Sequence, residues 1–414
     1  MTAGGFRRHG GHLACERVAL AGLAARHGTP LYVYSANAVR AAIREVRSAF
    51  AEFDPLVCYA MKANATLALL RLAAAEGCGI EVVSGGELFR ALRAGVRGDR
   101  IVFSGVGKTD DEIAAGLDAG IGEFNAESEE EIARLSALAA ARGRRAALTL
   151  RVNPDIDARS HPYISTGLRD NKFGVDIAAA PGILARARAR PGIEVAGVQC
   201  HIGSQIRSLE PPTQAVQALV DLTRRLIAEG YSLRTIDIGG GLGINYEEGT
   251  GPDVAAFAAA VVPSLRDLGL TVLLEPGRSL VARAGVLLTR VLYVKENHGK
   301  RFVIVDAGMN DLLRPALYKA HHRIEPVRTQ GRESRNVDVV GPVCETADAF
   351  ARDRELESVE RGELLAIRDA GAYGFAMAST YNMRPRPAEA MIEDGRVRLI
   401  RRRETFDDLI GTEV

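Results

Sequence analysis

The chain has 414 residues, of which 47% are hydrophobic and 25% are charged, and its formal net charge at pH 7 is +1. This length suits one large α/β unit plus a second, smaller domain, and the composition is that of a globular protein with a sizeable core. Because the basic residues are dispersed and balanced by acids, the charge favours neither a nucleic-acid partner nor a membrane surface.

The N-terminal segment and the cysteines indicate where the chain works. A short apolar stretch at 18–25 has charged neighbours on both sides, which predicts an amphipathic surface helix rather than a signal peptide. No stretch reaches the roughly 18 to 20 apolar residues that a membrane helix requires. The five cysteines are widely spaced and include no CxxC pair, which argues against a disulfide scaffold or a zinc site. We therefore expect a cytoplasmic protein without a metal centre.

From about residue 56 the chain alternates short β-rich runs with Ala- and Leu-rich helical stretches. Eight runs are typical of buried strands, at 56–61, 80–84, 101–104, 122–125, 147–152, 195–201, 235–238 and 270–275. Helical stretches lie between them, at 66–76, 86–95, 110–119, 127–142, 213–229 and 252–268. Strands that are apolar on both faces and separated by helices pair in parallel, and eight such units close a (β/α)₈ barrel. An open doubly wound sheet is the alternative, which the count of eight disfavours.

The rest of the chain has a different pattern of predicted secondary structure. After about residue 285 it is rich in strands with few helical stretches, and the EDG at 393–395 predicts a hairpin turn. We predict an α/β fold with a TIM barrel over 36–285 and a C-terminal β-rich domain over 286–414. In the N-terminal segment, 1–35, the strand TPLYVYS is expected to pair with the β-rich domain.

Polar residues follow several of the predicted barrel strands, at the end where active sites of this fold lie. Lys62 follows the first strand, His201 follows the sixth, the glycine run GGGLG at 239–243 follows the seventh, and Glu275 ends the eighth. A lysine amine, bare backbone N–H groups for a phosphate and a carboxylate are the parts that pyridoxal phosphate needs. Taken singly, each has another interpretation: a solvent-facing lysine, a core histidine or a tight glycine turn.

Ten motifs extend this pattern over nearly the whole chain. They are GTPLYVYS at 28–35, YAMKAN, EVVSGGELFRAL, HPYISTGLRDNKFGV, CHIGSQI, IDIGGGLGI, LLEPGRSLV, VDAGMNDLLRPALY, VVGPVCETAD and DAGAYGFAMASTYNMRPRPAE. In this order they resemble the fold-type III pyridoxal-phosphate decarboxylases, and within them the branch that acts on diaminopimelate. The resemblance implies an alanine-racemase-like barrel with a β-rich domain, and pyridoxal 5'-phosphate as cofactor. It also implies a head-to-tail homodimer whose active sites are shared between subunits.

The resemblance implies roles for the residues around the cofactor. Lys62 attaches the cofactor aldehyde, His201 stacks on the ring, and Glu275 pairs with the ring nitrogen. The phosphate is contacted by Ser204, Gly240, Gly241 and Gly277.

The remaining implied roles concern the substrate. Arg278 and Arg314 bind carboxylates, Tyr318 holds the substrate, and Tyr373 contacts both substrate and cofactor, as Arg278 also does. A fork-shaped guanidinium suits two carboxylate oxygens better than an ammonium does. Cys344 is the proton donor and Glu345 recognises the ammonium at the substrate's far end, both from the partner subunit.

The substrate that the resemblance implies is meso-2,6-diaminopimelate, which would be converted to L-lysine and CO₂. Decarboxylases of ornithine or arginine are the alternative, but they carry aspartate after the cysteine, where this chain has Glu345; a secondary-metabolite precursor is a further alternative. Thr346 and Met383 depart from the serines usual in the family, without altering a charge. An alanine racemase would set an arginine, not Glu275, against the ring nitrogen. A catalytically inactive relative would be expected to have lost Lys62 or Cys344.

Overall fold

The structure is a computed structural model that describes residues 5–248 and 251–414. It divides into two compact units. The barrel unit comprises Ala42–Ile244 and Gly251–Ser279. The β unit comprises the described residues of Met1–Ala41, Asn245–Thr250 and Leu280–Val414.

The N-terminal residues form a small sheet, a helix and a longer strand. Strands β1 (Phe6–His9), β2 (His12–Cys15) and β3 (Val18–Ala19) pair antiparallel. The apolar stretch predicted as a helix forms α1 (Leu20–His27), and β4 (Leu31–Ser35) and α2 (Ala36–Ala49) follow. The helix prediction is confirmed from Leu20 onward, where α1 buries Leu20 and Leu23 and exposes Arg26, whereas Val18 and Ala19 form β3.

The central part of the chain forms the predicted barrel. In chain order its strands are β5 (Leu56–Ala60), β6 (Gly79–Val82), β7 (Ile101–Phe103), β8 (Glu123–Ala126), β9 (Ala146–Asn153), the short β10 (Val175–Asp176), β11 (Ile193–Cys200), β12 (Thr235–Asp237) and β13 (Thr271–Leu274). All pairings are parallel, β10 pairs only with β9, and the contacts of β13 with β5 and of β8 with β9 complete a closed circle of eight. The barrel prediction is confirmed, and the open sheet is excluded.

Seven helices alternate with these strands in the part of the barrel that the structure describes. They are α3 (Leu67–Ala75), α4 (Gly85–Arg93), α5 (Asp110–Ala119), α6 (Glu129–Ala141), α7 (Ala180–Arg188), α8 (Glu210–Ala228) and α9 (Val254–Leu265). Several begin where a short polar side chain accepts a backbone N–H of the first turn, as Ser84, Thr109, Ser128 and Asp253 do. None of the helices among the described residues is both long and apolar enough to cross a membrane.

The rest of the chain forms the β unit. After the one-turn α10 (Arg278–Val281), its elements are β14 (Gly285–Asn297), β15 (Lys300–Val305), α11 (Arg314–Tyr318), β16 (Ile324–Pro326), β17 (Ser334–Val340), β18 (Ala349–Glu357), β19 (Leu364–Ile367), β20 (Ala388–Glu393), β21 (Arg396–Arg401) and α12 (Phe406–Ile410). The main path of its sheet runs β18-β17-β15-β14-β4-β20-β21, and β19 links β14 to β16. The EDG hairpin is confirmed, because β20 and β21 pair antiparallel around it.

Strand β4 lies in the middle of that sheet. It pairs antiparallel with β14 and parallel with β20. Its side chains alternate between two apolar clusters, with Tyr32 and Tyr34 in one and Leu31 and Val33 in the other. This alternation is the period of two that a strand buried on both faces requires. The N-terminal strand therefore connects the two cores of the β unit.

Candidate active site

Lys62 lies at the carboxyl end of barrel strand β5, in a short turn formed by Met61–Ala63. Its Nζ atom is 2.9 Å from both carboxylate oxygens of Glu81, which belongs to the next barrel strand and is 1% exposed. The Lys62 side chain is 35% exposed, so it contacts this carboxylate while part of it still reaches solvent. The contact with Glu81 holds the amine at the end of the strand.

Glu275 follows barrel strand β13 and is buried. One carboxylate oxygen accepts a hydrogen bond from Asn125 Nδ2 at 3.3 Å, and the other accepts one from Gln199 Nε2 at 3.0 Å. Burial, and then the charge of Glu81, raise the pKa of Glu275 to about 7, although Lys62 acts in the opposite direction. The carboxylate is fixed by neutral donors, so it can serve a cation that arrives with a ligand.

Asp237 and Glu275 affect each other's ionisation. It ends strand β12, is completely buried, and accepts the backbone N–H of Gly239 at 2.8 Å. Burial and the charge of Glu275 raise its pKa well above the usual range, and the hydrogen bond between the two carboxyl groups raises it further while lowering the pKa of Glu275. Asp237 is therefore the protonated member, and Glu275 is the one that ionises.

His201 is the first residue after strand β11. Its Nδ1 atom accepts the backbone N–H of Gly240 at 3.3 Å, which leaves the ring proton on Nε2. Burial, and then the positive charges of Lys62 and Arg151, lower its pKa well below the usual value. A neutral imidazole with a fixed tautomer is suited to lie against an aromatic ring without adding a charge.

The glycine loop after strand β12 needs its glycines. A Cβ atom on Gly240 would lie 2.2 Å from the Glu275 carbonyl oxygen, and one on Gly241 would lie 2.2 Å from that of Gly203. Gly241 also has φ +103°, which side chains disfavour. Within the described residues, the backbone N–H groups of Gly241 and Gly277 donate no hydrogen bond. Such N–H groups are suited to phosphate oxygens.

Ser204 and Arg278 are linked within the barrel unit. The Ser204 hydroxyl accepts a hydrogen bond from Arg278 Nη2 at 3.0 Å, and the arginine is buried. A hydroxyl and a guanidinium are both donors to anionic oxygens, so the pair extends the anion-binding character of the strand ends. All eight of the predicted residues in the barrel unit thus lie at or just beyond the carboxyl ends of strands.

The other five predicted residues belong to the β unit. Arg314 and Tyr318 are the first and last residues of α11, and Arg314 is buried. Tyr373 has φ +55°, a conformation that is uncommon for a bulky side chain. Backbone strain of this kind persists where the surroundings impose it and is often found at functional sites.

Cys344 and Glu345 lie together on an exposed loop of the β unit. Of the five free cysteines, Cys344 alone is exposed. Its backbone N–H donates to the Asn382 side-chain oxygen at 2.8 Å, and the Tyr381 hydroxyl hydrogen bonds to Glu345, which raises the pKa of the tyrosine. Asn382 therefore holds Cys344, and the adjacent Tyr381 holds Glu345.

Sequence reasoning missed four residues of this arrangement. Glu81 was read as part of an apolar strand and Asp237 as part of another, although a carboxylate within a buried run was a usable signal. Asn382 and His322, which contacts Arg314, carry no such signal because their contacts form only in the folded chain. Among the described residues, no group of acidic, histidine or cysteine side chains is arranged to hold a metal ion.

The parts fit pyridoxal phosphate. Lys62 offers an amine for its aldehyde, Glu275 an anion for its ring nitrogen, and the glycine loop free N–H groups for its phosphate. The barrel and this lysine define the chain as a fold-type III pyridoxal-phosphate enzyme. Residues 36–282 match the family model described as "Pyridoxal-dependent decarboxylase, pyridoxal binding domain".

Full-length relatives narrow the family. The chain is 47% identical over 401 residues to diaminopimelate decarboxylase of Aquifex aeolicus, covering 97% of this chain and 95% of that one. It is 49% identical over 409 residues to the Pseudomonas fluorescens enzyme of the same name, covering 99% and 98%. The chain therefore belongs to the diaminopimelate decarboxylases, which are pyridoxal-phosphate-dependent enzymes.

Solved structures agree with this assignment. Diaminopimelate decarboxylase from Helicobacter pylori complexed with L-lysine has a TM-score of 0.92 at 44% identity, covering 95% of this chain and 99% of that one. The M. jannaschii enzyme in co-complex with L-lysine has a TM-score of 0.95 at 39% identity, covering 100% and 98%. Both support the two-unit fold described above.

Proposed function

We propose that this chain decarboxylates meso-2,6-diaminopimelate to L-lysine and CO₂ with pyridoxal 5'-phosphate as cofactor. The observation that carries the proposal is that Lys62, held by Glu81, and the buried Glu275, held by Asn125 and Gln199, both follow barrel strands in a chain of the diaminopimelate decarboxylase family. Two of its relatives have been solved with L-lysine, the expected product.

The barrel unit supplies the cofactor site in this proposal. Pyridoxal phosphate, when bound, supplies an aldehyde for the amine of Lys62 and a ring that takes up the electron pair left by the departing carboxylate. Ser204, Gly240, Gly241 and Gly277 would hold its phosphate, Arg278 would be a further contact, and His201 would cover its ring. Tyr373, which is not part of the barrel unit, is a further proposed cofactor contact.

Glu275 keeps the ring nitrogen protonated, and Asp237 helps it to do so. Because Asp237 is the protonated member of the pair, its carboxyl group donates to Glu275 and stabilises the ionised form of that residue. Glu275 then faces the ring nitrogen as an anion even though it is buried. Asp237 thereby favours a negative charge on Glu275 next to the cofactor.

Cys344 returns a proton to the substrate. Loss of CO₂ leaves an electron pair on the substrate carbon, and the thiol of Cys344 donates its proton to that carbon. The exposure of Cys344 in the single chain suits a group that works on a ligand rather than in a core.

Charged side chains recognise the other end of the substrate. Arg278 and Arg314 bind carboxylates, and Glu345 binds the distal ammonium. Tyr318 and Tyr373 position the carbon chain of the substrate between its two ends. This set suits a substrate that retains an amine and a carboxylate after decarboxylation. Ornithine and arginine have no distal carboxylate, so they use this set less completely.

We further propose that the enzyme is a cytoplasmic homodimer in which Cys344 and Glu345 serve the partner subunit's site. Their exposure on one loop supports this arrangement. The five unpaired cysteines agree with a reducing compartment.

One experiment tests the proposed reaction. Purified protein with pyridoxal phosphate is incubated separately with meso-diaminopimelate, ornithine, arginine and lysine, and both CO₂ and the product amine are measured. We expect CO₂ and L-lysine from diaminopimelate and little release from the others. Release from ornithine or arginine but not from diaminopimelate would transfer the proposal to that substrate.

A further inference from the structure

Arg314 is held in a defined orientation by two aromatic side chains of the β unit. Its guanidinium carbon lies 4.3 Å from the centre of the Tyr246 ring, so the planar group stacks on that ring. Its Nη1 atom is 2.7 Å from Nε2 of His322. The two rings also contact each other edge to face, with centroids 5.0 Å apart. One face and one edge of the guanidinium are therefore fixed.

The hydrogen bonds of His322 assign its protonation. Its Nδ1 atom is 2.8 Å from the backbone carbonyl oxygen of Arg368, which can only accept, so Nδ1 carries the proton. The guanidinium of Arg314 can only donate, so Nε2 offers its lone pair. His322 is completely buried and is thus a neutral imidazole that links the two arginine positions.

A neutral acceptor affects Arg314 differently from a carboxylate. A carboxylate would orient a guanidinium but would also oppose its charge, as Asp369 does for Arg323 at 3.2 Å and Glu325 does for Arg368 at 3.2 Å. The imidazole orients Arg314 through one hydrogen bond and adds no opposing charge of its own. This contact suits an arginine whose charge is intended for a ligand carboxylate.

We infer that His322 is a positioning residue that sets Arg314 for the substrate carboxylate that remains in the product. The inference rests on the proposed function, because it takes Arg314 as a carboxylate-binding residue. Loss of the acceptor should then weaken ligands that carry this carboxylate and spare ligands that lack it. L-lysine and cadaverine are such a pair, since cadaverine is lysine without its carboxylate.

Two substitutions separate the hydrogen bonds of His322. In His322→Gln the amide oxygen can occupy the position of Nε2 and still accept from Arg314. In His322→Asn the shorter amide reaches only the position of Nδ1, so the contact with the Arg368 carbonyl is kept and the acceptor for Arg314 is lost. Affinities of both variants for L-lysine and cadaverine are measured by calorimetry on the cofactor-loaded enzyme.

We expect His322→Asn to bind L-lysine about tenfold more weakly, the loss of one charge-assisted hydrogen bond, with unchanged cadaverine affinity. Its KM for diaminopimelate should rise by a similar factor while kcat changes little, as loss of uniform binding requires. His322→Gln should bind both amines nearly as the unmodified enzyme does. Equal weakening of lysine and cadaverine, or a loss confined to kcat, would overturn the inference.

A measurement on the unmodified protein covers the case in which His322→Asn does not fold. Nitrogen-15 NMR of histidine-labelled enzyme, with His322→Gln used for assignment, should show a neutral ring with its proton on Nδ1. A proton on Nε2 would contradict the inference. Failure of the proposed function has a different signature, because the unmodified enzyme would then not release CO₂ from diaminopimelate and would not prefer lysine to cadaverine.

Discussion

We expect the Asp237→Asn variant to keep about a fifth of its kcat/KM, because Asp237 works as a neutral hydrogen-bond donor. Asparagine has nearly the same size, keeps an oxygen for the backbone N–H of Gly239, which lies 2.8 Å from the aspartate, and replaces the carboxyl O–H with an N–H. The change therefore exchanges one hydrogen bond for a weaker one, a cost of about 1 kcal/mol or about fivefold in kcat/KM.

Asp237→Ala is the contrasting variant. It removes the donor to Glu275 and leaves the Gly239 N–H buried without its acceptor, which costs about 1–3 kcal/mol for each unsatisfied group and should lower kcat/KM by about 10- to 100-fold. Because the hydrogen bond from Asp237 lowers the pKa of Glu275, its loss raises that pKa and moves the acidic limb of the pH–rate profile to higher pH. The assay is CO₂ release from diaminopimelate in excess pyridoxal phosphate, with bound cofactor measured by absorbance. If Asp237→Asn is as inactive as Asp237→Ala, the residue acts through a negative charge and its assigned protonation is wrong.

Three further predictions address the dimer, the pH dependence and the Cys344 loop. The variants Lys62→Ala and Cys344→Ala should each be inactive. When their subunits are dissociated and reassociated together, about a quarter of normal activity should return, because half of the dimers are mixed and each mixed dimer has one intact site. No recovery of activity would mean that both residues belong to the active site of the same subunit. Folding raises the pKa of Glu275 from 4.5 to about 7, so the folded protein binds the extra proton, and the cofactor-free form should lose about 3 kcal/mol of unfolding free energy as pH rises from below the first value to above the second. Urea titrations should show a loss that is about 3 kcal/mol smaller in Glu275→Gln, because Glu87 and Asp311, whose pKa values are also raised to about 7, contribute to the pH dependence of both proteins; an equal loss in both would contradict the prediction. Asn382→Gly, which tolerates the φ of +55° at this position, should lower kcat about fivefold by releasing the Cys344 backbone; unchanged kcat would show that the contact has no catalytic effect.

The spacing of apolar residues predicted the fold correctly where strands and helices pack against each other. The run at 56–61 became β5, and the stretch at 110–119 became α5 with the same bounds, because its capping box of Thr109 and Glu112 is encoded locally. The small N-terminal sheet was not predicted, since β1 to β3 are only two to four residues long, too short to show an alternation of apolar and polar residues. Such short strands form because neighbouring strands are available to pair with them, not because their residues favour β structure.

The site residues divide in the same way. Lys62 and Glu275 stand out in sequence because each ends an apolar strand. The pairing of Lys62 with Glu81 depends on the register of β5 and β6, which aligns Ala60 with Glu81, and no local pattern encodes that register. His322 and Asn382 depend on contacts formed only in the folded β unit, so their positions could not have been derived from composition or spacing.

The position of strand β4 has a consequence for how the chain is made. Leu31–Ser35 pairs with Ala388–Glu393, about 350 residues later, so the sheet of the β unit cannot close until the second of these strands has been synthesised. The barrel unit, by contrast, ends at Ser279 and leaves the ribosome earlier. A nascent chain that stalls before residue 388 would keep β4 with an unpaired edge, the kind of surface that chaperones protect and that aggregation exploits. Forms truncated before residue 388 should therefore be insoluble even when they still contain every proposed catalytic residue.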